Sequence, residues 1–195
     1  MSVIKKVTVC GSGIMGGNIA ANLANLGLEV YMLDIRPNKL TEEQVEKGYT
    51  MDSPGIRNLV ARSGLNKVLT DRISGIPIAF FSPGNASNVT IGNYDDHAKD
   101  FMSKSDWIIE VVSENMGIKK RVFDQIEEYR NPETAVSSNT SGIQLKKLAE
   151  GRSQEFKEHF LLTHFFHPVR FMNLVEITGL QETKPEVIQG IENFF

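Results

Sequence analysis

The sequence is poor in cysteine: Cys10 is the only one among 195 residues, which excludes an internal disulfide. Lone thiols fit a reducing compartment, so a cytoplasmic protein is expected. No apolar run reaches the ~18 residues that a membrane span needs. The N-terminus passes straight into a strand pattern, with no signal-peptide core. Charge of one sign is also missing. A net charge of −3 argues against nucleic acid as the main partner, which would usually want a basic face, so no nucleic-acid partner is expected. No cluster of Cys, His and carboxylates has metal-ligand spacing, so no metal is expected. With 41% apolar and 23% charged residues, the chain can build a real core and is not disordered. Internal repeats and low-complexity tracts are absent.

What is present is an alternation of short apolar runs and helical stretches. Strands are predicted at Val7–Cys10, Glu29–Leu33, Asn88–Ile91, Trp107–Val112, Thr134–Ser137, Leu161–Phe165 and Val175–Thr178. Helices are predicted at Met15–Leu26, with Gly27 as its stop, and at Asp95–Ser103, Gly117–Arg130 and Leu145–Glu150. Such alternation predicts an α/β fold of Rossmann type, doubly wound, with a mostly parallel sheet and helices on both faces. A polar insert at about residues 45–87 breaks the rhythm. It carries turn signals at Ser53-Pro54-Gly55, Ser63-Gly64 and Ser82-Pro83-Gly84, and is long enough to hold short helices of its own. Arg57, Arg62, Lys67 and Arg72 make it locally basic, which reads as a solvated surface or as a phosphate-contacting rim. The chain ends on Lys184–Phe195, a helix just getting under way, as if cut within a longer protein.

Gly11-x-Gly13-x-x-Gly16 follows a predicted strand and opens a predicted helix, the context that gives the pattern meaning. Gly11 permits a tight turn, Gly13 lets a pyrophosphate approach the backbone, and Gly16 lets helix lie close on strand. The helix N-terminus offers free N–H groups and partial positive charge to phosphates. Asp34 ends the second strand, where a carboxylate can accept from both hydroxyls of an adenosine ribose and repel a 2′-phosphate. NAD is therefore expected as cofactor, although Arg36 stands close by. The competing reading of the glycines is a tight turn with no ligand.

His164 falls near the end of a strand, where an imidazole, titrating near ~6.5 when unperturbed, could serve proton transfer. Glu176 begins the next apolar run, and an antiparallel return would set its carboxylate beside that ring. On spacing alone, the favoured reading of His164 is a satisfied core histidine. Cys10 reads as a small buried residue, and His97 and His159 as exposed ones.

Four landmarks, in order, resemble the NAD-binding domain of the L-3-hydroxyacyl-CoA dehydrogenases. They are Val9-Cys-Gly-Ser-Gly-Ile-Met-Gly16, Asp106-Trp-Ile-Ile-Glu-Val-Val-Ser-Glu-Asn115 with Lys119, Ser138-Asn-Thr-Ser-Gly142, and His164-Phe-Phe-His-Pro168 through Leu174-Val-Glu-Ile177. The resemblance covers the whole chain, so residues 1–195 are expected to form one NAD-binding domain. It implies NAD-dependent oxidation of L-3-hydroxyacyl-CoA to 3-ketoacyl-CoA in fatty-acid β-oxidation. His164 would be the base and Glu176 its partner, with Ser141 on the substrate's 3-hydroxyl and near the nicotinamide. Gly11, Gly13, Ile14, Met15, Gly16 and Asp34 would hold the cofactor, and Glu114 and Lys119 would line its ribose and nicotinamide side. The residues themselves also admit Glu114–Lys119 as a surface ion pair and Ser141 as a helix cap. One departure stands out: the family usually has asparagine where this chain has His167, which leaves a substrate-polarising role there open. The insert resembles forms fused to an enoyl-CoA hydratase domain. The family's C-terminal helical domain, which closes over the acyl-CoA and builds a homodimer, is expected to be missing. Two alternatives follow: a module that binds NAD and does little chemistry alone, and a dehydrogenase of free 3-hydroxyacids.

Overall fold

The computed structural model describes residues 3–195. In chain order the elements are β1 (Lys6–Cys10), α1 (Ile14–Asn25), β2 (Glu29–Asp34), α2 (Glu42–Glu46), α3 (Pro54–Arg57), α4 (Leu59–Thr70), β3 (Arg72–Ile73), β4 (Ile76–Pro77), a 3₁₀ turn (Pro83–Asn88), β5 (Val89–Asn93), α5 (Tyr94–Lys104), β6 (Trp107–Glu110), α6 (Met116–Tyr129), β7 (Ala135–Ser138), α7 (Leu145–Leu148), α8 (Gln154–Glu158), β8 (Phe160–Phe165), β9 (Val175–Gly179) and α9 (Pro185–Glu192).

Seven strands form one sheet in the order β5-β2-β1-β6-β7-β8-β9. All neighbours run parallel except β8 and β9, which are antiparallel. The chain moves outward from β1 through β2 to β5, then returns to start β6 on the other side of β1. That reversal is the topological switch point of a doubly wound sheet, and a crevice opens there beyond the strands' carboxyl ends. Buried side chains fill both faces. One cluster joins Ile19, Leu23, Val30, Met32 and Trp107, with Val187 and Ile191 of α9. The opposite cluster joins Leu33, Phe101, Met102, Ile108, Phe123, Phe156 and Phe160. Strands covered on both faces explain the near-continuous apolar runs in the sequence.

Buried polar side chains are paired across strands. Trp107 Nε1 donates to Ser137 Oγ at 2.9 Å, and the Ser137 and Thr163 hydroxyls meet at 2.7 Å, so one chain of hydrogen bonds joins β6, β7 and β8. These contacts offset what burying hydroxyls and an indole N–H would otherwise cost.

The insert does hold helices of its own, and its turn signals divide by role. Pro54 opens α3 and Pro83 opens the 3₁₀ turn. Ser63-Gly64, expected as a turn, instead lies inside α4. A Cβ on Gly64 would stand 2.2 Å from the Ser12 carbonyl oxygen, so this glycine serves close packing of α4 on the glycine turn rather than chain reversal. Arg62, Lys67 and Arg72 are exposed, as the solvated reading expects, while Arg57 is drawn into ion pairs with Asp52 and Asp96. Two histidines correct the sequence reading. His159 is 2% exposed; it caps α8, with its ring Nδ1 against the Glu155 carbonyl at 2.9 Å. His97 is half-buried, accepting the Asn93 N–H and tilted against the Phe101 ring. Cys10 is fully buried, and burial with the nearby Glu110 charge pushes its thiol pKa far up, which keeps it inert.

The glycine turn supplies a sharp test of this packing. A Cβ on Gly16 would lie 1.9 Å from the Gly11 carbonyl oxygen, whereas one on Gly13 meets nothing within 4 Å. Gly16→Ala is therefore expected to cost about 3 kcal/mol or more, and Gly13→Ala less than about 1 kcal/mol, by urea unfolding followed in far-UV circular dichroism. Equal losses in the two variants would contradict it.

Candidate functional site

The carboxyl ends of five neighbouring strands carry the candidate residues in spatial order: Asp34 on β2, Gly11 after β1, Glu114 beyond β6, Ser141 beyond β7 and His164 on β8. Four interstrand steps separate Asp34 from His164, roughly 19 Å at the usual spacing.

At the glycine turn, Gly11 takes φ +118°, which a Cβ disfavours, and its added Cβ would meet the Val111 carbonyl at 2.7 Å. Gly13 is the N-cap of α1, with no side-chain cap and no acidic residue in the helix's first turn. Asn93, Asn115 and Ser153 cap α5, α6 and α8 with their side chains. The uncapped N-terminus of α1 thus keeps donors and positive potential for an anion, and open space lies where a Gly13 Cβ would be. A cavity of about 590 Å³ adjoins it, lined by Gly11, Gly13, Asp34, Ile35, Val112 and Ile118 among others. Asp34 accepts from Ser12 N–H and Oγ–H, both at 2.6 Å, and from Ile35 N–H at 2.7 Å. Of the remaining turn residues, Ile14 is exposed and Met15 packs on the core. An apolar-walled cavity with a carboxylate on one side and uncapped N–H groups on the other suits a dinucleotide's base, ribose and pyrophosphate.

Farther along the sheet edge lies a buried charge network. Lys119, 1% exposed, donates to Glu110 Oε1 and Oε2 at 2.8 and 3.0 Å, and stands 3.2 Å from Glu114 Oε2. The surface-ion-pair reading of Lys119 is thereby overturned. Glu110 is fully buried and also accepts from Ser138 Oγ at 2.6 Å and Val112 N–H at 2.8 Å, so every oxygen of this carboxylate is occupied. Sequence reasoning gave Glu110 no role; the available signal was a carboxylate closing an otherwise apolar strand. Glu114 accepts from the Thr140 hydroxyl and from Gly142 and Ile143 N–H, fastening the loop after β7 to the loop after β6. Partial burial alone would raise its pKa. The Thr140 and Gly142 donors and the Lys119 charge outweigh that and hold it at about 2.

The third group surrounds His164. In the β8–β9 ladder His164 pairs directly with Glu176, so both side chains leave the same face of the sheet. Nδ1 lies 2.8 Å from Glu176 Oε2, and Nε2 lies 3.0 Å from Ser141 Oγ. The carboxylate can only accept, so Nδ1 carries the proton, Nε2 is left basic, and the Ser141 hydroxyl donates to it. Ser141 thus bonds to the histidine instead of capping a helix. Asn139 Oδ1 accepts the Phe165 N–H at 2.8 Å, which ties the Ser141 loop to the strand that carries the ring. His167 is exposed, three residues beyond His164.

Fold, uncapped glycine turn and terminal carboxylate define a doubly wound dinucleotide-binding domain. The chain belongs to the family described as 3-hydroxyacyl-CoA dehydrogenase, NAD binding domain, whose model matches residues 6–195. It is 46% identical over 191 residues to a probable 3-hydroxyacyl-CoA dehydrogenase of Bacillus subtilis, covering 98% of this chain and 24% of that protein. A second protein so described, from Deinococcus radiodurans, is 34% identical, with 98% of this chain and 50% of that protein covered. Among solved structures, 3-hydroxybutyryl-CoA dehydrogenase from Escherichia coli K12 superposes with a TM-score of 0.71 at 25% identity, covering 99% of this chain and 36% of that one. The chain spans about a quarter to a half of the length of these curated relatives.

The low pKa of Glu114 sets a pH window. Its folded value lies below the ordinary 4.5, so its contribution is fully present above about 4.5 and is lost as pH falls toward about 2. Between pH 5 and 3, the wild type is expected to lose urea resistance faster than Glu114→Gln. A stability difference that stays constant across that interval would contradict the assignment.

Proposed function

We propose that this chain is the cofactor-binding and proton-transferring part of an NAD-dependent enzyme. The reaction is oxidation of L-3-hydroxyacyl-CoA to 3-ketoacyl-CoA, in the setting of fatty-acid β-oxidation. The observation that carries the reading is the Ser141–His164–Glu176 chain of hydrogen bonds on the sheet edge that also bears the glycine turn. Bound NAD supplies the acceptor for the hydride that leaves C3 of the substrate. Gly11, Gly13 and Gly16 with the N-terminus of α1 would hold its pyrophosphate; Ile14 and Met15 supply backbone to the same turn. Asp34 would take the adenosine ribose, with Glu114 and Lys119 toward the nicotinamide end.

The chain's own side chains handle the proton. Ser141 Oγ stands where it can hydrogen-bond the 3-hydroxyl and place it before His164 Nε2. Nε2 takes the hydroxyl proton as the C–O bond becomes a carbonyl, and the resulting imidazolium is stabilised by the Glu176 carboxylate on Nδ1–H. Proton to His164 and hydride to the cofactor account for the two electrons and two hydrogens lost by the alcohol. Glu110 contributes by clamping Lys119 beside Glu114, the residue that holds the loop after β7 to the loop after β6. His167 is assigned to the substrate side, as a donor or acceptor in place of the family's asparagine. A thioester carrier is favoured over a free 3-hydroxyacid because the family's members are described by that substrate class.

Among the described residues no helix is long and apolar enough to cross a membrane. A cytoplasmic location is part of this proposal, as are the homodimer and the further domains of a longer parent protein.

His164→Gln in the full-length protein is expected to lower kcat by at least about 10³-fold, the scale of a lost general base, while leaving NAD affinity within about twofold. Turnover is read as NADH absorbance with 3-hydroxybutyryl-CoA, and affinity by calorimetric titration. Undiminished turnover would remove His164 from the mechanism. In the 195-residue chain, NAD binding without turnover would favour a cofactor module for this piece.

A further inference from the structure

Arg36 lies two residues beyond the ribose carboxylate of Asp34, where a guanidinium would ordinarily receive the 2′-phosphate of NADP. Here its donors are engaged elsewhere. Nη2 donates to Asp52 Oδ1 at 3.0 Å and to the Met51 carbonyl at 2.9 Å, and Nη1 stands 3.6 Å from Asp95 Oδ2. Asp52 is itself held by Arg57 Nη1 at 2.7 Å, and Arg57 turns its other edge to Asp96, with Nε at 2.6 Å from Oδ2. Asp96 keeps a pKa well below the carboxylate range because Arg57 and Asn93 donate to it. The latch therefore spans three parts of the fold: the end of β2, the insert, and the start of α5. Asp95 also lines the cavity that contains Asp34 and Ile35, which puts the tethered guanidinium one ion pair from the cofactor space. Arg36 Nε is buried and has no hydrogen-bond partner among the described residues, so the guanidinium keeps one donor in reserve.

We propose that Arg36 is a latent 2′-phosphate receptor, and that Asp52 and Asp95 set the preference for NAD by keeping its guanidinium tied away. This rests on the reading that NAD occupies the cavity beside Asp34. Asp34 alone is then an incomplete selector. A 2′-phosphate meets the Asp34 and Asp95 carboxylates while the guanidinium of Arg36 is neutralised by its own partners. Neutralising Asp52 and Asp95 removes repulsion and also frees Arg36 to swing toward the phosphate, forming a charge-assisted fork. Arg57, with Asp96 as a second partner, stays paired throughout and does not compete for the ligand.

The test titrates NAD and NADP calorimetrically into the wild type, Asp52→Asn/Asp95→Asn, and the same double variant carrying Arg36→Ala. The double variant is expected to bind NADP about tenfold more tightly relative to NAD, and the added Arg36→Ala to abolish the gain. An unchanged NADP affinity overturns the proposal. So does a gain that survives Arg36→Ala, since that would be net charge acting without the guanidinium. Wild type that binds NAD while the variants stay flat rejects this inference alone; wild type that fails to bind NAD rejects the cofactor reading with it. Asp52→Asn by itself, at a side chain 80% exposed, is expected to give a smaller gain of the same sign, and decides the matter should the double variant not fold.

Discussion

The reversal of one strand is the constraint on which the site depends. Six strands of the sheet run parallel, and β9 alone comes back antiparallel against β8. A parallel partner would need a crossover of a dozen or more residues and would enter from the far end of the sheet. The antiparallel return instead lays Glu176 directly opposite His164, and the strand period sends both side chains to one face. The ring is then held at both nitrogens, by Glu176 and by Ser141, and Ser141 is held in turn because Asn139 accepts the Phe165 N–H. A backbone ladder, rather than a flexible loop, positions the imidazole.

The cofactor end is organised by a division of labour within one turn. Gly11 and Gly16 are required by the protein itself, the first for its positive φ and the approach of Val111, the second for helix–strand contact. Gly13 is required by nothing inside the chain, and open space at its missing Cβ is what an approaching ligand needs. The insert joins this end of the site: α4 presses Gly64 onto Ser12, and Ser12 donates twice to Asp34. Asp52 and Asp95 extend the same control to Arg36. Between the two ends, Glu114 ties the loops after β6 and β7 together, and the buried Glu110–Lys119 pair stands against it. Removing one partner of such a pair costs far more than the pair is worth, about 3–5 kcal/mol, because a bare charge is left buried.

Much of this was legible in the sequence, for identifiable reasons. Strand–helix alternation and the context of Gly11, Gly13 and Gly16 carried the fold, and the starts of α5, α6 and α9 lay within a residue or two of their predictions, whereas the short helices α2 and α8, each capped by a side chain, were not predicted. The His164–Glu176 pairing was readable because a short connection between two apolar runs favours an antiparallel return. The rest turned on long-range contacts that local pattern does not encode. Gly64 looked like a turn and sits in a helix because Ser12 lies against it. His159 looked exposed among polar neighbours, yet it is buried at the end of α8 with its ring against the Glu155 carbonyl. Glu110 passed unremarked, since its partner Lys119 is nine residues away on another element and nothing local announces that the lysine is buried. Arg36 and its partners Asp52 and Asp95 come from three separate segments, a grouping that only the folded chain brings together.

The central claim is that Glu176 fixes His164 as the Nδ1–H tautomer, leaving Nε2 as the basic nitrogen toward Ser141. Nitrogen-15 NMR of the imidazole, in the wild type and in Glu176→Gln, addresses it most directly. At a pH where the ring is neutral, the account requires a protonated, hydrogen-bonded Nδ1 and an unprotonated Nε2 in the wild type, with that bias weakened in the variant. A wild-type ring protonated at Nε2, or one whose tautomer ratio ignores the loss of the Glu176 charge, would contradict it.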